Sequence, residues 1–106
     1  MSGVRKVNTD TFQEEVKTGI VVVDFYADWC GPCKVVAPIM ERLATEYDGR
    51  VQFTKLDVYY NAVIADQFGI MSIPTLIVFK SGNPVERFVG AAPAENYRSI
   101  IERVLA

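Results

Sequence analysis

The sequence predicts an α/β protein with a mixed central sheet of about five strands flanked by about four helices. Three observations carry that expectation. IVVVDFYA, residues 20–27, is nearly continuous apolar sequence rich in β-branched and aromatic residues, as a central strand covered on both faces requires. Val36, Ile39, Met40, Leu43, Ala44 and Tyr47 recur at helical spacing, with Glu41, Arg42 and Glu46 on the opposite side. TLIVFK and PVERFVG flank Ser81-Gly82-Asn83, which reads as a hairpin with a glycine-containing turn.

The elements follow in order. Residues 4–7 form a short edge strand, and Asp10 with Gln13 makes a capping box that opens a helix closed by Gly19. The apolar strand at 20–27 comes next, then the amphipathic helix, which Pro38 is expected to kink by removing a hydrogen bond. VQFTKLDV, residues 51–58, is another strand. Asn61 caps a short helix that runs through Phe68 and stops at Gly69. After the hairpin, a last helix starts near Ala94 and turns Tyr97, Ile100, Ile101, Val104 and Leu105 to one face. Strands alternating with helices imply parallel pairing early in the chain, and the hairpin adds antiparallel strands at its end.

At 106 residues the chain fits a single domain, residues 1–106, which can bury a core without disulfides or metal to hold it together. Its net charge is −2 with basic and acidic residues interspersed, so no basic stripe is available for nucleic acid. No segment approaches the roughly 18 apolar residues of a membrane span, and MSGVRKVNTD lacks a signal-peptide core. A cytoplasmic, reducing setting is expected. There a close cysteine pair is used for catalysis or metal more often than for stapling.

That pair lies in DFYADWCGPCK, residues 24–34, which holds both cysteines and the single tryptophan. Tetrahedral structural zinc needs four nitrogen or sulfur ligands, and the chain has two cysteines and no histidine, so zinc would require a dimer or carboxylates. No metal or cofactor is expected. A static disulfide would close a loop too small to remove much unfolded-state entropy. Redox exchange explains the spacing better. A strand-to-helix transition puts Cys30 at the exposed helix N-terminus, where the dipole and free N–H groups favour a thiolate, and Cys33 one turn further in. Cys30 is then the nucleophile, and Cys33 resolves the mixed disulfide at Cys30. Pro32 is harmless there, because an N–H in the first turn has no intrahelical partner. Asp24, an acid within unbroken apolar flanks, is expected to be buried with a raised pKa that suits it to proton exchange with a thiol.

Taken together, VDFYADWCGPCK, Pro38 within its helix, KLDV, GIMSIPTLIVFKSG and the RFVGA run before the last helix resemble the thioredoxin family over essentially the whole chain. The resemblance implies the thioredoxin fold and a small dithiol reductant of disulfide-containing client proteins, recharged by a thioredoxin reductase. It implies that Asp24 serves Cys33 through water. Gly31, Pro32 and Lys34 support the motif, and Lys55 is either a partner for Asp24 or an ordinary solvated lysine. Pro74 is implied to follow a cis bond that exposes the Ile73 backbone to an extended client. Trp29, Gly31, Pro32, Ile73, Gly90 and Ala91 would form a shallow apolar surface around Cys30, with Thr75 counted among the client-binding residues.

A different class of function remains open, a redox-independent partner-binding or chaperone subunit using the apolar face around Trp29 and Pro74. The sequence also departs from the family pattern. Where thioredoxins carry acidic or polar residues followed by Asn-Pro, this chain reads DVYYNAV, with Ala62 in place of the proline. Alternation cannot bury Tyr59 and Tyr60 in one layer, so at least one is expected exposed near the catalytic end, as plain surface cover or as a client-docking or self-association site. The chain is expected to be a monomer, with a weak homodimer through these tyrosines as the alternative.

Overall fold

The structure, a computed structural model, describes residues 3–106. The chain runs β1 (Val4–Val7), α1 (Phe12–Val16), β2 (Ile20–Tyr26), α2 (Gly31–Glu46), β3 (Gln52–Asp57), α3 (Ala62–Gln67), β4 (Thr75–Lys80), β5 (Asn83–Val89) and α4 (Ala94–Leu105). The five strands form one sheet in the order β1-β3-β2-β4-β5. β3 is parallel to β1 and β2, whereas β4 is antiparallel to both β2 and β5.

β2 is central because its sequence leaves no polar face to turn outward. Val21, Val23 and Phe25 pack with Phe12, Val16 and Ile64 of α1 and α3, and Val22 packs with Val36, Met40, Leu43 and Ile101 of α2 and α4. Each such side chain contributes about 1.5 to 3 kcal/mol of burial. This topology brings the C-terminal ends of β2, β3 and β5 and the N-terminal end of β4 to one edge of the sheet. Everything chemical in the molecule sits there.

Three local expectations are corrected. α1 has no capping box from Asp10 and Gln13: its N-cap is Thr11, and Asn8 Oδ1 accepts from the N–H groups of Asp10 and Thr11 at 2.9 and 3.0 Å. Asn8 takes the Asp10 N–H in place of Gln13 because its side chain, shorter than that of Gln13, closes an Asx turn on the following backbone. The hairpin turn is Ser81-Gly82, both with positive φ as a two-residue primed turn requires, and Asn83 belongs to β5, paired with Lys80. Pro84 is tolerated because β5 is an edge strand.

Asn61 precedes α3 but does not cap it with its side chain. It is buried, accepts from the N–H and hydroxyl of Thr9 at 2.8 and 3.0 Å, and donates to the Asp57 carbonyl at 3.0 Å. It thus ties the β1–α1 loop to the end of β3. Asn61→Ala leaves the Thr9 N–H and the carbonyl of buried Asp57 without this partner, and should lower unfolding free energy by about 1 to 3 kcal/mol in urea titrations. Disulfide exchange should be unaffected, since the latch does not touch the cysteines.

Candidate redox site

α2 begins at Gly31 with Cys30 as its N-cap, in extended backbone conformation. An extended strand end feeding a helix is what lets one cysteine cap and the other lie a turn in. Cys30 and Cys33 are joined by a disulfide, with Cα atoms 5.3 Å apart, and Cys30 Sγ accepts from the Cys33 N–H at 3.2 Å. That N–H and the helix dipole remain in the dithiol form, where they stabilise negative charge on Cys30 Sγ.

The two sulfurs face different surroundings. Cys30 Sγ lies 3.8 Å from the Ile73 carbonyl oxygen, and the Ile73–Pro74 bond is cis. Cys33 instead lines a cavity of about 190 Å³ with Asp24, Tyr26, Ala27, Asp28, Lys34, Ala37 and Lys55, which is ample room for water. Cys30 was expected at an exposed position but is only 5% accessible, because Ala27, Ile73 and the half-buried Tyr26 and Val58 pack around the disulfide.

Asp24 is 3% exposed, and its Oδ1 has no hydrogen-bond partner in the protein. Burial pushes its carboxyl up to about 7, opposed by the positive charge of Lys55. Lys55 is the register partner of Asp24 on β3, but it makes no direct ion pair with it; its ammonium lies 5.6 Å from the Tyr26 ring centroid. Asp24 and Cys33 therefore line one cavity, with a carboxyl poised to gain or lose a proton near neutral pH.

The remaining residues divide by exposure. Trp29 is 71% exposed, Gly31, Pro32, Lys34 and Ala91 are exposed, and Ile73 and Gly90 are half-buried. Gly90 joins the site through its N–H, which donates to the Pro74 carbonyl at 2.8 Å, and its φ of +97° favours glycine. Pro74 and Thr75 are buried, and the Thr75 hydroxyl donates to the Ser72 carbonyl at 2.6 Å. The Thr75 hydroxyl thus braces the loop from within. Tyr59 and Tyr60 are 68% and 75% exposed, with their rings edge to face at 5.0 Å. Both of their N–H groups donate to Asp57 Oδ1, at 2.9 and 3.3 Å, so the pair is held in place.

Residues 3–103 match the Thioredoxin family model. The chain belongs to the thioredoxin family. It is 50% identical to a thioredoxin of Staphylococcus saprophyticus subsp. saprophyticus, 49% to one of Staphylococcus haemolyticus and 47% to one of Staphylococcus aureus. In each case the similarity spans 94% of this chain and 96% of the relative. With the Cys30–Cys33 disulfide in the CGPC motif, this thioredoxin-family chain is a dithiol reductant of disulfides, a thiol–disulfide oxidoreductase. Among the described residues, no group of three or more metal-ligating side chains comes together, and no helix is long and apolar enough to cross a membrane.

Sequence reading missed Tyr26 and Tyr97. Tyr26 follows Asp24 by two residues on the same strand face, so alternation alone would have placed it beside the cavity. Its ring lies beneath the Lys55 ammonium; burial raises its phenol pKa, with the charge of Lys6 working against the shift. Tyr97 was read only as core, although a buried phenol needs a hydrogen-bond partner for its hydroxyl.

Proposed function

We propose that the chain acts as a single domain, with Cys30 the attacking sulfur and Cys33 the resolving one. The observation that carries this assignment is the partition of the two sulfurs, Cys30 beside the Ile73 carbonyl and Cys33 on the Asp24 cavity. Cys30 thiolate attacks a client disulfide, forming a mixed disulfide and releasing one client thiolate. Asp24 takes the Cys33 proton through water in the cavity. Cys33 thiolate then attacks Cys30 Sγ, closing the disulfide and expelling the second client thiolate. Two electrons pass to the client, whose thiolates take up two protons. A thioredoxin reductase returns the electrons in a reducing, cytoplasmic setting.

In this reading Trp29, Gly31, Pro32, Ile73, Gly90 and Ala91 receive the client, and the Ile73 backbone meets it as an added strand. Tyr59 and Tyr60 widen that face from the β3 side. Support comes from position, since Val58 beside them packs against the disulfide, and from rigidity, since Asp57 holds both N–H groups. Ordered aromatic rings add contact area at little further entropic cost. The test is reduction of insulin with and without a thioredoxin reductase. Turnover should depend on the reductase, and a Tyr59→Asp, Tyr60→Asp variant should raise KM for insulin about threefold or more while small-molecule disulfides react as before. Insulin kinetics equal to those of the parent would reduce the tyrosines to surface cover, and a variant altered only in sedimentation would assign them to self-association.

A further inference from the structure

We propose that the Tyr97 hydroxyl is a positioning group for client binding, fixing which backbone groups of residues 90–92 face the client. The inference rests on the reading that residues 90 and 91 touch the client.

The Tyr97 ring is explained by the core, where it packs edge to face on Phe88 at 5.3 Å. A phenylalanine or leucine would fill that place without a polar atom to satisfy. The hydroxyl needs its own account. It donates to the Gly90 carbonyl at 3.0 Å and accepts from the Ala92 N–H at 3.1 Å. One oxygen thus uses its donor and an acceptor lone pair on two residues of the same short segment.

That segment lies beyond β5, whose last paired residue is Val89 opposite Thr75. Past Val89 its inward anchors are the Gly90 N–H on the Pro74 carbonyl and the Tyr97 hydroxyl. Gly90, at positive φ, offers little intrinsic resistance to rotation of its peptide planes. With the groups of residues 90 and 92 turned inward, exposed Ala91 keeps its N–H and C=O free of partners among the described residues. An exposed donor and acceptor on one residue, held beside the loop of Ile73 and Pro74, are what an extended client backbone can pair with. Pinning them in advance removes an ordering cost from client binding.

The test separates positioning from general stability. Tyr97→Phe keeps the ring and removes only the oxygen. It should raise KM for insulin about three- to tenfold, with kcat and the reduction of a small aromatic disulfide changed less than twofold. Amide exchange at Ala92, followed by NMR, should speed up by a similar factor or more. Tyr47→Phe is the stability control: Tyr47 caps the end of α2 opposite Cys30, its hydroxyl donates to Glu102 of α4 at 2.7 Å, and losing that bond should leave KM as it was. Ala91→Asp tests the underlying docking reading. If Ala91→Asp raises KM for insulin and Tyr97→Phe does not, the clamp is overturned and the docking reading stands. If neither changes KM, both are overturned. A fall in kcat for both substrates that Tyr47→Phe reproduces also overturns the clamp.

Discussion

Cys33→Ser should turn the protein into a trap that accumulates mixed disulfides with its clients, whereas Cys30→Ser should abolish exchange and capture almost nothing. Accessible area does not decide this, because both sulfurs are nearly covered in the disulfide. Surroundings decide it. Cys30 caps α2 and receives the Cys33 N–H at 3.2 Å, so its thiolate draws on the positive end of a sixteen-residue helix. Its immediate neighbours in the chain, Trp29, Gly31 and Pro32, are exposed, so a client sulfur approaches from their side. Cys33 lies a turn deeper and borders the Asp24 cavity, where a thiolate meets a carboxyl that favours its neutral form only below about pH 7. Non-reducing electrophoresis of the two variants after exposure to insulin is the direct measurement. In the reduced parent, iodoacetamide should label Cys30 well before Cys33 at neutral pH. Equal labelling rates would contradict the assignment.

The parts of the site legible in the sequence were those where one residue type admits one environment. An acid inside IVVVDFYA has no solvent to face, so the burial of Asp24 followed from its neighbours alone. Two cysteines with no histidine left little but redox chemistry for the pair. What escaped were choices among several donors for one acceptor. Asn61 suits a helix cap and a tertiary latch equally well, and the Thr9 loop that claims it lies 52 residues away. Asp10 and Gln13 fit a capping box, but Asn8 takes the Asp10 N–H that Gln13 would have to reach, and the Thr11 N–H with it. Lys55 stands opposite Asp24 in register, yet its long stem carries the charge over Tyr26. Thr75 was read by its place in IPT, and its hydroxyl turns inward because the Ser72 carbonyl needs a donor there. Each of these details is a side-chain direction, a quantity that periodicity fixes only to the face of an element.

Asp24→Asn should make the protein more stable and a slower catalyst, each in a pH-dependent way. A carboxyl whose pKa rises from 3.8 unfolded to about 7 folded penalises the fold once it ionises. The sign follows from proton counting. Below about pH 4 both states hold the proton and the penalty is absent. Between about 4 and 7 the folded state binds more protons than the unfolded chain, so stability falls as pH rises. Above about 7 the penalty is complete, at most about 4 kcal/mol. The Asn variant should lack that slope: its advantage in urea midpoint should vanish near pH 4, grow through pH 6 and level off above 7. The same substitution removes the group that takes the Cys33 proton. Release of the mixed disulfide should slow, by roughly 10²- to 10⁴-fold if proton transfer is fully engaged in the step. In the parent the release rate should rise as Asp24 ionises near pH 7, and in the variant that inflection should disappear. Stopped-flow release of a fluorescent client between pH 5.5 and 8.5 measures both. A variant that gained the expected stability yet kept the parent's rate and inflection would leave Asp24 as a buried charge with no part in the chemistry. Loss of the inflection together with the stability gain ties both effects to the same proton.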